Sequence, residues 1–117
     1  MLSISGQVKV FLATQPTDMR RSFDTLAALV QETLQLDPLS GHLFVFRSKR
    51  ADRIKILYWN THGYALWYMR LEQGSFRFPV PEGDRASVMI SATDLAMLLD
   101  GVDLSSVERR TRYRLPA

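Results

Sequence analysis

From Ser22 onward the apolar residues Phe23, Leu26, Ala27, Val30 and Leu34 recur at the spacing of one helix face. Ser22 stands where an N-cap is needed, and Asp37-Pro38 with Ser40-Gly41 ends the element. Around this helix the pattern is strand-like. Val8–Leu12 alternates about Lys9, and Leu43–Arg47, Arg53–Asn60, Tyr64–Glu72 and Ser75–Phe78 follow as short apolar or alternating runs. Lys49–Asp52, Thr61-His62-Gly63 and Gln73-Gly74 read as the turns between them. Pro79 and Pro81 interrupt the series, and Ala86–Ile90 predicts a last strand. Ser91 and Asp94 then form an S-x-x-D start for a short helix carrying Leu95, Leu98 and Leu99 on one face. Gly101 is placed to stop it.

These elements predict an α+β fold. An antiparallel β-meander of four to five strands packs with one longer helix on its apolar face and one short C-terminal helix at its edge. With 117 residues and no linker or repeat, the expected organisation is a single domain over 1–107, followed by a basic tail over 108–117 without a core pattern. That tail is expected to be mobile.

Composition narrows the class. There is no cysteine, so disulfide and thiolate chemistry are excluded. No apolar run approaches the roughly 20 residues of a membrane span, and the N-terminus lacks the pattern of a signal peptide. The expectation is a cytoplasmic protein with no membrane partner.

Charge is distributed unevenly. Residues 1–41 carry a net −1, 42–80 a net +5, 81–107 a net −4 and 108–117 a net +3. The basic segment also holds nine of the twelve aromatics. Cations meet phosphates and rings meet bases, so this segment is where a nucleic-acid face would be built. Arg47, Lys49, Arg50, Arg53 and Lys55 run through the end of one strand, a turn and the start of the next. Arg70 joins them from the following strand. Arg20 and Arg21, just ahead of the long helix, form a second cationic site, with Asp18 or Asp24 as the ordinary partner and phosphate as the alternative. Among the aromatics Trp59, Tyr64, Trp67 and Tyr68, most are expected in the core, with Trp59 and Tyr68 the least determined.

Catalysis finds little support. The acids are scattered, His42 and His62 lack metal-ligand spacing, and no nucleophile elbow or phosphate-binding glycine loop is present. No catalytic residue, metal site or cofactor is assigned.

The order of Val10-Phe11-Leu12-Ala13-Thr14, Pro16-Thr17-Asp18-Met19-Arg20-Arg21 and Leu26-Ala27-Ala28-Leu29-Val30 resembles a known family. Asp37 to Arg47, Asp52 to Trp59, Gly63-Tyr64, Leu66-Trp67-Tyr68, Arg70-Leu71-Glu72 and Leu98 to Asp103 continue the resemblance. It is to the second-open-reading-frame proteins, called TnpB, of insertion-sequence family sixty-six, unrelated to the RNA-guided nuclease of the same name. The likeness spans about residues 8–104, with Gln15, Ser22 and Thr61-His62 departing from the residues expected at those turns. It implies a non-catalytic accessory of transposition that acts beside a separate, large transposase. Two modes of action follow. The protein binds DNA, with transposon ends as the candidate target, or it is an interaction module that binds the transposase using exposed aromatics and the acidic 81–107 segment. Exposed sheet edges make a homodimer a further expectation.

Overall fold

The computed structural model of the protein describes residues 7–101. Five strands form one sheet: β1 (Val10–Ala13), β2 (Leu43–Arg47), β3 (Arg53–Asn60), β4 (Gly63–Arg70) and β5 (Ser87–Ile90). The described residues also hold two helices, α1 (Phe23–Glu32) between β1 and β2, and α2 (Ala92–Leu99) after β5. The strand order is β4-β3-β2-β1-β5. The α+β class is as expected, but the sheet is not a pure meander. β2, β3 and β4 are antiparallel in sequence, whereas β1 lies parallel to β2, with Val10 opposite Leu43, and pairs antiparallel with β5 on its other side.

The cause of the parallel pair is the helix between its strands. A crossover long enough to hold α1 brings the chain back to the end of the sheet where β1 began. The sequence signature is present too: Leu43, Phe44, Val45 and Phe46 are all buried, a continuous apolar run of the kind that marks a strand covered on both faces.

Alternation divides the strand residues between two cores. On one face Phe44, Phe46 and Leu57 meet Leu26, Ala27, Val30 and Leu34 of α1 and its C-terminal extension. On the other, Val10, Leu12, Leu43, Val45, Ile54 and Ile56 meet Leu95 and Leu98 of α2 together with Phe76. Each fully buried side chain of this size contributes about 1.5–3 kcal/mol. The expectation of one helix on a single apolar face is thereby corrected: the sheet is covered on both sides.

Residues 75–78 do not form the expected strand. Phe76 is buried and its N–H donates to Ala51 O at 2.7 Å, but the segment runs under the sheet as irregular chain. β2 and β3 already have partners on both sides, so no strand edge is free there.

Local signals set the helix ends. Ser22 N–H donates to Thr25 Oγ1 at 3.0 Å at the start of α1. Ser91 Oγ accepts from Asp94 N–H at 3.0 Å at the start of α2, and Gly101, at φ +86°, follows its end. The expected basic tail over 108–117 lies outside the described residues.

Candidate nucleic-acid interface

The β2–β3 connection is a compact turn. Ser48 Oγ donates to Asp52 at 2.9 Å and accepts from Arg53 N–H at 3.1 Å, while Ala51 N–H reaches Ser48 O at 2.9 Å. These bonds use the polar groups inside the turn and leave Lys49 and Arg50 exposed at its tip.

From this turn β3 and β4 run antiparallel without interruption, joined by the two-residue Thr61-His62 loop. The register places Arg53 directly opposite Arg70 and Lys55 directly opposite Tyr68. Residues two apart on a strand share a face, so Arg53, Lys55, Tyr68 and Arg70 all lie on the α1 side. Like charges facing each other across a hairpin are destabilising. Glu72 relieves half of this pair, accepting from Arg70 at 2.9 Å and raising the guanidinium's pKa. Arg53 is exposed and has no such partner among the described residues.

Lys55 is a correction. Expected as a phosphate contact, it is 6% exposed, and its ammonium donates to Met19 O at 2.7 Å and Arg21 O at 2.6 Å. The same ammonium lies 4.7 Å from the Tyr68 ring centre. The loop ahead of α1 has folded over it, so Lys55 is an internal tie rather than a surface cation. Its effect on the site is positional: through it, the Met19–Arg21 loop and the ring of Tyr68 meet around one charge.

Arg47 is a second correction. It lies half-buried on the opposite sheet face, donating to Thr14 O at 3.3 Å and Ser48 O at 3.4 Å, with its guanidinium 5.6 Å from the Phe78 ring. It also borders a cavity of about 270 Å³ with Leu12, Phe76, Phe78 and Val80. Arg47 therefore does not join the other cations.

Arg20 finds the carboxylate that its position called for. Its Nη2 donates to Asp18 at 2.7 Å, and its bonds hold the Asp18 carboxyl at about 2, below the ordinary aspartate value of 3.8. Arg21, beside it, is exposed and outside any ion pair among the described residues. Among the described residues, Arg21, Lys49, Arg50 and Arg53 are the candidate cations without an ion-pair partner, and Arg70 shares Glu72. They gather near the end of the sheet where β3 starts and β4 stops.

Tyr68 adds a ring to this cluster. It is 49% exposed and sits between Arg70 and the Lys55 ammonium. The other aromatics are structural: Trp59 packs edge-to-face on Tyr64 at 5.1 Å, and Trp67 lies against the α2-side core. Burial raises the Tyr64 phenol, helped by Asp24 and Asp37. His42 Nδ1 accepts from Lys9 N–H at 3.0 Å, which ties β2 to the lead-in of β1, and His62 occupies the hairpin loop. Among the described residues no three His, Asp or Glu side chains group as metal ligands. What sequence reading missed was the Arg53–Arg70 juxtaposition, which needed the two-residue loop to fix the register.

A small mixed-sheet α+β domain with exposed cations gathered at one end of its β3–β4 hairpin is the class of protein defined by this geometry. The family model for IS66 Orf2-like proteins matches residues 8–109, and the chain belongs to that family. Two Sinorhizobium fredii proteins are similar along nearly their whole length. The uncharacterized protein y4jC is 41% identical over 110 residues, covering 94% of this chain and 92% of its own. The uncharacterized protein y4hO is 42% identical over 103 residues, covering 88% of each. No solved structure matches the chain.

Proposed function

We propose that this protein is a non-catalytic accessory of insertion-sequence transposition that binds DNA through the cationic end of the β3–β4 hairpin. Membership of the IS66 Orf2-like family supports the transposition setting. The observation that carries the DNA reading is the Arg53–Arg70 pair with Lys49, Arg50, Arg21 and the exposed Tyr68 around it. Arginine forks and lysine points both suit phosphate, and an exposed ring can stack on an unpaired base. The separate transposase is then the enzyme, and this protein the factor that engages the DNA it acts on.

The test is binding to a labelled transposon-end duplex, compared with scrambled DNA across a salt series. Each phosphate contact contributes about −0.9 to the slope of log K against log salt. The double substitution Arg50→Glu and Arg53→Glu is expected to weaken binding and flatten the slope by about two such contacts. Unchanged affinity and slope would retire this face as the interface.

A second reading has its own observation. The cavity between the ends of β1 and β2 and the 76–81 segment is apolar, bordered by the Arg47 guanidinium, and its rim residue Val80 is 83% exposed. Such a site suits a protein partner better than DNA, and in this reading the chain docks on the transposase. Co-purification with the transposase after nuclease treatment, lost on Val80→Asp, would favour it.

A further inference from the structure

The free edge of β4 carries information that the cationic patch does not use. Leu71 N–H donates to Asp52 O at 2.7 Å, one step past the Arg53–Arg70 pair, which fixes the parity of the whole hairpin. Odd-numbered residues of β4 bond inward to β3. The N–H and C=O groups of Tyr64, Leu66, Tyr68 and Arg70 therefore point outward, and among the described residues none of them makes a backbone bond elsewhere. β4 is eight residues long and its pairing with β3 has no bulge. It contains no proline, lysine or acid, devices by which natural edge strands discourage pairing, and its one charged side chain, Arg70, stands at its last position.

We infer that β4 pairs antiparallel with β4 of a second copy of this chain, about a twofold axis normal to the sheet at Trp67. Only a register using all four outward residues places Tyr64 opposite the partner's Arg70 and Leu66 opposite the partner's Tyr68. Each such pair exchanges two bonds, giving about eight in all. Trp67 then faces the partner's Trp67 across a non-hydrogen-bonded site, where side chains approach most closely. The charges agree with this register. Arg70 meets a tyrosine ring rather than a second arginine, a favourable cation–π arrangement. Beyond the strand ends, Glu72, two residues past Arg70, falls opposite the partner's His62, one residue before Gly63.

The result is a continuous ten-stranded sheet with both α1 helices on the same side. The two cationic patches share that side, with the Arg70 positions roughly 20 Å apart along the strand direction. The pairing does not depend on DNA binding, and its test uses none.

Sedimentation equilibrium of the full chain without DNA should give a dimer. Leu66→Pro removes an outward N–H that the monomer does not use, and should raise the dimer dissociation constant roughly tenfold or more. Because the chain has no cysteine, single-cysteine variants report the register directly. Trp67→Cys should form a disulfide-linked dimer under mild oxidation. Ala65→Cys and Met69→Cys should each remain unlinked alone but crosslink when mixed, so the register is still read if Trp67→Cys folds poorly. A monomer at every concentration, or a dimer that crosslinks at neither register pair, would overturn the inference.

Discussion

Replacing Lys55 by methionine separates what this residue does for the fold from what the surface cations do for a ligand. The ammonium is 6% exposed and donates to the carbonyls of Met19 and Arg21 at 2.7 and 2.6 Å. Hydrogen bonds from charged groups contribute about 1.5–3 kcal/mol each, and the contact with the Tyr68 ring adds about 0.5–2 kcal/mol. Methionine keeps the stem's packing but leaves two carbonyl oxygens without a donor. Against this stands the removal of a buried charge, whose desolvation costs several kcal/mol. The balance is an expected loss of about 2–4 kcal/mol, because breaking one side of a buried polar contact leaves the other side unsatisfied. For a domain of this size that is about 10–20 °C in Tm. Urea unfolding followed by tryptophan fluorescence and far-ultraviolet circular dichroism measures it. A change below about 0.5 kcal/mol, within the range of ordinary surface substitutions, would refute the assignment of Lys55 as the tie holding the 19–21 loop to the sheet. On the folded variant, the salt dependence of DNA binding should stay as in the parent chain.

Four further outcomes are expected. Thr61 holds φ +55° in the hairpin loop, where a β-branched residue is strained; Thr61→Asn should stabilise by about 0.5–1 kcal/mol in urea unfolding. Glu72→Gln frees Arg70 from its partner and should tighten DNA binding and steepen its salt slope, read by fluorescence anisotropy. Asp18 titrates at about 2 in the folded chain against 3.8 without its Arg20 bonds, so its contribution is complete above pH 4 and lost as pH falls towards 2. Asp18→Asn should therefore match the parent chain's stability at the acid end of a pH series and fall below it above pH 4. Arg53→Thr removes one of two facing cations and adds a good strand former, so it should leave stability equal or higher by a few tenths of a kcal/mol while weakening DNA binding.

The parts of the fold governed by local chemistry were legible in the sequence. Of the predicted helix face, Leu26, Ala27, Val30 and Leu34 are buried while Phe23, at the first turn, is 44% exposed, and both helix starts fall at the serines that can cap them. Non-local geometry was not. Nothing within Val10–Ala13 states which strand it pairs with, and its parallel alignment with β2 comes from the crossover through α1. The unbroken burial of Leu43 to Phe46 was the available signal for a sheet covered on two faces. Lys55 misled for a related reason: a cation alternating with isoleucines describes a solvated strand face unless another segment folds over it, and the covering loop lies 34 to 36 residues away.

Stability and binding impose opposite demands on the end of the β3–β4 hairpin. Four of the eight cations expected at an interface are engaged by the fold: Lys55 by two carbonyls, Arg47 by two more and a ring, Arg20 by Asp18 and Arg70 by Glu72. The other four include Arg53, set directly opposite Arg70, an arrangement that strand pairing alone disfavours. A sheet selected only for stability would place a threonine or a carboxylate at one of those positions. In the proposed function an external anion is the missing partner, and the phosphate backbone offers a row of them at the spacing of successive nucleotides. The same reasoning explains why Arg53→Thr is the most informative single change: stability and affinity moving in opposite directions identify a residue kept for its ligand, whereas a structural residue such as Lys55 lowers stability without altering the salt dependence of binding.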